Sequence, residues 1–242
     1  MITQYQISRF LNQELRVREI PDASRNGLQA NNRKYVRRVG VAVDASLETF
    51  RKAKKRNCDL LIVHHGLFWK GKRDETGLRQ KRADLLKRSK MNLYTVHLPL
   101  DMHEEYGNNI QLARLLELEK IEEFGKYHGM NIGYKGKLKE KLSMGQLKNR
   151  LDRALKTRSQ VLEYGRSDVR SIGIISGGPV SIADAMEVDC FISGEGIHSR
   201  FVDAKDLKLN IIYAGHYETE TLGVDRIGKL LKERFDLEYE FI

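Results

Sequence analysis

The sequence predicts an α/β fold with mostly buried sheets. Three observations carry this reading. Short, unbroken runs of apolar and β-branched residues recur along the chain. Stretches with helical apolar spacing separate them, and the alternation resumes after a Gly-rich break. Strands that do not alternate polar and apolar residues are covered on both faces, as in sheets flanked by helices.

Residues 39–43 (Val-Gly-Val-Ala-Val) predict the first strand. A helix over 46–54 follows, with Leu47, Phe50 and Ala53 on one face. Residues 58–63 predict a second buried strand, and 91–96 a third, after a basic helical stretch over 77–90. Gly107-Asn108-Asn109 opens a helix with Leu112, Leu115 and Leu116 on one face. Residues 125–133 lose periodicity and read as a linker between a first half, 1–124, and a second, 134–242. The second half repeats the theme. A basic amphipathic helix spans 142–155, and strands over 171–175, 188–192 and 209–213 each run into a Gly-containing turn. A last helix over about 218–235 carries Leu222, Ile227, Leu230 and Leu231 inward.

Composition bounds the function. The 242 residues are 40% hydrophobic with 20 Gly besides, which together fall in the globular range and exclude disordered and fibrous classes. No apolar run is long enough to span a membrane, and the first residues lack a secretory pattern, so a cytoplasmic location and no membrane partner are expected. Cys58 and Cys190 lie far apart in apolar runs, which argues against disulfides and Cys-based metal sites. The formal charge is +10, which invites an anionic partner.

Metal-capable residues gather at the expected strand ends. One end reads Val63-His64-His65-Gly66, another Val96-His97-Leu98-Pro99-Leu100-Asp101, and the last Gly215-His216-Tyr217-Glu218-Thr219-Glu220. Ligands of open α/β sheets bind beyond the carboxyl ends of strands. His216 and Glu220 are four apart and share a face if a helix starts at His216. Neighbours in a regular strand point to opposite faces, so His64 and His65 can both reach metal only if one lies in the following turn. With Asp101, these make five N/O donors, more than one zinc with an open position takes and suited to two ions bridged by a carboxylate. His97 reads as a supporting group or a catalytic candidate. Glu195, after Ser193-Gly194, is a candidate general base or substrate contact. Tyr217 is a weaker candidate.

These motifs, with Asn26-Gly27-Leu28-Gln29, Asp44-Ala45-Ser46, Gly107-Asn108-Asn109 and Gly194-Glu195, closely resemble the Nif-three-like family, whose members are often named GTP cyclohydrolase I type 2 homologues. The resemblance covers nearly the whole chain, in the family's order. It implies two intertwined α/β domains, with the segment 215–242 returning to complete the site begun in the first half. It implies a homohexameric ring and a dinuclear centre: His64 and Asp101 on one ion, His65 and His216 on the other, and Glu220 bridging. At 242 residues the chain resembles the short form, without an inserted PII-like domain. One departure is Pro179, where a small residue is expected.

His and carboxylate donors suit Zn, Mn, Fe and Ni alike. The expected activity is a metal-dependent hydrolase acting on a nucleotide or other phosphorylated small molecule, with ring opening of GTP and formate release as the specific form. No Gly-x-x-x-x-Gly-Lys-Ser/Thr loop is present to cradle a triphosphate. Two alternatives stand beside it: a metal-carrying or regulatory protein without turnover, and a ring-shaped nucleic-acid-associated protein. Three basic stretches, 33–38, 79–90 and 135–158, supply the charge for the latter.

Overall fold

A computed structural model describes residues 1–178 and 181–242; Pro179 lies outside the described residues. In chain order the elements begin β1 (Ile2–Thr3), α1 (Gln4–Glu14), β2 (Gly27–Ala30), β3 (Tyr35–Val36), β4 (Arg38–Asp44) and α2 (Leu47–Lys55). Next come β5 (Leu60–His65), α3 (Leu78–Arg88), β6 (Asn92–Thr95), α4 (Leu98–Asp101), α5 (Asn108–Leu115), β7 (Glu119–Tyr127) and β8 (Met130–Ser143). Then follow α6 (Met144–Leu155), β9 (Gln160–Glu163), β10 (Asp168–Ile175), α7 (Ile182–Ala185) and β11 (Cys190–Ser193). The chain closes with α8 (His198–Asp206), β12 (Asn210–Tyr213), α9 (His216–Thr219), α10 (Thr221–Phe235) and β13 (Glu238–Phe241). The mixed α/β class is as expected.

The chain divides into two compact units. One comprises Met1–Leu100 and Gly223–Ile242, the other Asp101–Leu222. The division therefore lies away from the expected linker at 125–133. Those residues are not a linker: they form the turn and adjoining parts of the β7–β8 hairpin, with Phe124 opposite Gly133 and Tyr127 opposite Met130. Their lost periodicity reflects the hairpin turn and its three glycines, Gly125, Gly129 and Gly133.

The first unit holds a sheet of order β13-β4-β5-β6-β2. β13, β4, β5 and β6 are parallel, and β2 closes the edge antiparallel to β6. Ser46 caps α2 by accepting from the Thr49 N–H. Phe50 and Ala53 of α2 share one core cluster with Leu86 of α3 and with Ala42, Leu61, Val63 and Leu93 of the strands. The helices α2 and α3 thus cover the same face, as successive right-handed crossovers in one direction require.

The second unit holds a sheet of order β7-β8-β10-β11-β12-β9. Its centre, β10, β11 and β12, is parallel. One face packs Leu112 and Leu116 together with Leu147 and Leu151 of α6; the other packs Ala185 of α7 and Ala204 of α8. The helix expected from 142 starts at Met144, because Leu142 is still paired to Val169 and Ser143 serves as N-cap in a capping box with Gln146. The expected last helix is broken at Glu220 into α9 and α10.

Candidate metal centre

In the first unit three parallel strands release their polar residues at the same edge. Asp44 ends β4 and His65 ends β5, and the two are in register. The β5–β6 ladder stops at Val63 opposite Thr95, so His64 and His65 stand past the paired part of that edge. This is why two adjacent strand residues, neither in a following loop, bring their rings to a centroid distance of 4.8 Å. The His97 ring lies 5.0 Å from His64 and 5.7 Å from His65. The three side chains can place ligand atoms within 4.8 Å of one another.

Each of these imidazoles is held through Nδ1. His64, fully buried, donates Nδ1–H to the Val96 carbonyl at 2.9 Å. A carbonyl can only accept, so the neutral ring carries its lone pair on Nε2. His65 Nδ1 lies 2.9 Å from Asp44 Oδ1. His97 Nδ1 lies 3.0 and 3.1 Å from the two oxygens of Asp22. Burial pulls the Asp22 carboxyl up, but hydrogen bonds from His97, Asn26 and the Ser24 N–H hold it below the usual range. Gly66 is required by packing: a Cβ there would collide with Thr95. Gln29 accepts from the Leu67 N–H at 2.7 Å and fixes the same turn.

In the second unit the three parallel strands do likewise. β10 runs into Ser176-Gly177, β11 into Gly194-Glu195 and β12 into Gly215-His216. Gly215, at φ +96°, starts α9 at His216. His216 Nε2 lies 3.3 Å from Glu220 Oε1, the i,i+4 pair the spacing suggested, and Nδ1 lies 2.9 Å from Glu195 Oε1. The hydrogen bond to Glu220 raises the His216 pKa to about 9, with burial opposing and Glu195 adding. Near neutral pH the metal-free ring is a cation, and a metal ion taking Nε2 displaces that proton.

Asp101, 7% exposed, accepts from Asn108 Nδ2 at 2.9 Å and from Ser176 Oγ at 3.3 Å. Asn109 braces the same turn, accepting from the Ser176 N–H at 2.6 Å and donating to the Asp101 carbonyl at 3.2 Å. The next residue, Gly177, at φ +72°, donates its N–H to Thr219 Oγ1 at 3.1 Å. A Cβ on Gly177 would collide with the Glu220 carboxylate, itself 2% exposed. One glycine turn therefore lies against both buried carboxylates.

Glu195 is placed on His216 rather than in isolation, which is the position of an orienting group. It also borders a small pocket with Ser193, Gly196, Arg200 and Tyr213. Burial raises the Tyr213 pKa, with Arg200 opposing. Tyr217 is exposed. Sequence reasoning gave no role to Asp22, Asp44, Asn108 or Ser176. Asp44 and Asn108 carried a usable signal, one at a strand end and the other in a quoted motif. Asp22 carried none, since it is 75 residues from His97.

The donor set fits divalent borderline ions. Histidines that ligate a metal hand their other ring nitrogen to a carboxylate or a backbone carbonyl, and His64, His65, His97 and His216 all do so. Asp101, four residues after His97, and Glu220, four after His216, supply hard oxygen donors.

Residues 2–242 match the family described as Duf34/NIF3 (NGG1p interacting factor 3). A GTP cyclohydrolase 1 type 2 homolog of Pyrococcus horikoshii is 43% identical over 240 residues, 98% of this chain and 96% of that protein. Its counterpart in Pyrococcus abyssi is 42% identical over the same shares. The crystal structure of TTHA1606 from Thermus thermophilus is 38% identical, with TM-score 0.90 over 99% of this chain and 97% of that one. The protein ybgI, of unknown function, is 31% identical with TM-score 0.90 over the same shares. With a family match across nearly all its residues and relatives above two-fifths identity, the chain belongs to the DUF34/NIF3 family.

Proposed function

We propose that this protein is a dinuclear metal-dependent hydrolase acting on a nucleotide. His64 and Asp101 would hold one ion and His65 and His216 the other, with Glu220 as the carboxylate available to both. The observation that carries this reading is the shared anchoring of the histidines: each Nδ1 is engaged by a carboxylate or carbonyl, which orients Nε2 as the ligand atom. When bound, a pair of divalent ions supplies Lewis-acid polarisation and water activation at neutral pH. The chain's own residues prepare the site for that. Asp44 and Glu195 fix ring orientation, and Asn108 with Ser176 fixes the Asp101 carboxylate.

The names of the relatives favour GTP as substrate. One water adds at C8 of the guanine imidazole ring and the C8–N bond breaks, leaving a formamide. A second water hydrolyses the formamide, releases formate and leaves an amine. No electrons are transferred. His97, held by Asp22, is the ring nearest His64 that is not assigned to metal, and it serves as a proton-transfer group or a support. Arg200 and Tyr213, in the pocket beside Glu195, are polar contacts for the substrate. We infer a homohexamer as the working form, as the motif resemblance implies.

The test is turnover of a nucleotide panel including GTP, by metal-loaded wild type and by Glu220→Gln. The wild type should release formate from GTP, and Glu220→Gln should lose turnover by more than about a hundredfold. Full metal loading with no product from any nucleotide would support instead a metal-carrying protein without turnover.

A further inference from the structure

The positive charge is not spread over the chain. Of 43 Lys and Arg, 26 lie in the first unit, against 14 of the 33 Asp and Glu; the second unit has the remaining 17 and 19. The second unit is thus slightly acidic, although it contains the long basic stretch 135–158. Three cations of that stretch are neutralised locally: Lys135 pairs with Glu122 and Glu187, Lys148 with Asp152, and Arg150 with Glu117.

The layer formed by α2 and α3 belongs to the unit that carries the net positive charge. Arg51, Lys54 and Lys55 on α2, and Lys81, Lys87 and Arg88 on α3, are all exposed. None of the six makes an ion pair or side-chain hydrogen bond among the described residues. Acidic residues within the two helices are only Glu48, which pairs with Lys52, and Asp84, which accepts from Gln80. The two helices share one core cluster, so their outer faces form a continuous surface. Clustered unpaired cations repel one another and raise the local positive potential, and in a unit with 26 cations against 14 carboxylates that potential attracts an anionic partner.

We propose that the α2–α3 face binds the phosphate backbone of duplex nucleic acid. Two features favour this partner over others that carry negative charge. No aromatic side chain is exposed on either helix, so single-strand binding by base stacking has no platform. Leu78, at the first residue of α3, is the only large apolar side chain exposed on them, so there is neither an insertion edge for a membrane nor an apolar anchor for a protein partner. What is left is a rigid, sequence-independent array of cations, the recognition mode of backbone contacts.

The experiment is a fluorescence-anisotropy titration of a short labelled DNA duplex with the full-length protein, over a range of salt concentrations. A variant carrying Lys54→Gln, Lys55→Gln, Lys87→Gln and Arg88→Gln is compared with a control carrying Lys135→Gln and Arg150→Gln. A second face variant, Arg51→Gln with Lys81→Gln, guards against a folding defect, and circular dichroism checks all three. Wild type should bind with an affinity that falls steeply with salt. The four-fold variant should lose at least about tenfold in affinity and reduce the log–log salt slope by about 4, while the control keeps both. The proposal is overturned by three results: no salt-dependent binding by wild type, equal losses in the control, or tighter binding to anionic phospholipid vesicles than to duplex.

Discussion

A histidine that donates through Nδ1 has only Nε2 left for a cation, and here that choice is made by neighbours of unequal burial. Asp44 is about half exposed, at 52%, whereas Asp22 is 2% exposed and accepts from four groups: His97, Asn26 and the Ser24 and Leu98 N–H. Their losses should therefore differ in kind. Asp22→Ala leaves buried donors unsatisfied and should destabilise the protein by about 3 kcal/mol, read in denaturant unfolding. Asp44→Ala should leave unfolding unchanged within about 0.5 kcal/mol and weaken metal affinity by about tenfold to a hundredfold, read by competitive chelator titration. Glu195→Gln should behave as Asp44→Ala does, because its carboxylate is exposed and its contact is His216 Nδ1.

At the scale of elements, parallel strand ends and glycine turns build the site. β4 and β5 end directly on Asp44 and His65, and β10, β11 and β12 run into Ser176-Gly177, Glu195 and His216. Gly177→Ala places a methyl group against Glu220 in a left-handed backbone conformation. It should cost metal affinity more than fold stability, measured by chelator titration alongside unfolding. Gly133→Ala is the converse. A Cβ there meets the Ile174 carbonyl across the β8–β10 pair, so it should lower stability by about 2 kcal/mol. These elements also show what a sequence can reveal. The buried parallel strands were legible because each is a continuous apolar run, and His216 with Glu220 was legible as an i,i+4 pair. The hairpin β7–β8 was not, because its turn and the glycines Gly125, Gly129 and Gly133 break apolar periodicity. The anchors Asp22 and Ser176 were not legible either, since only tertiary folding brings them to His97 and Asp101.

For the whole molecule, the charge reads differently from the sequence total of +10. It is a property of the first unit, with 26 cations against 14 carboxylates, while the second unit has 17 against 19. No helix among the described residues is long and apolar enough to cross a membrane. Metal binding to the native state alone should raise the unfolding temperature, and chelation should lower it. Free metal at about a hundred times its Kd adds about 2.7 kcal/mol per site. Glu220→Gln should abolish most of that increment, as thermal scans with and without chelator would register.

The dinuclear assignment is tested most directly by a crystal structure of metal-loaded protein with anomalous diffraction at the metal's absorption edge, paired with elemental analysis of the same sample. Two anomalous peaks per chain are expected, one contacted by His64 and Asp101, the other by His65 and His216, with Glu220 touching both. A single ion, or ions held by other residues while these five stay unligated, would contradict that assignment.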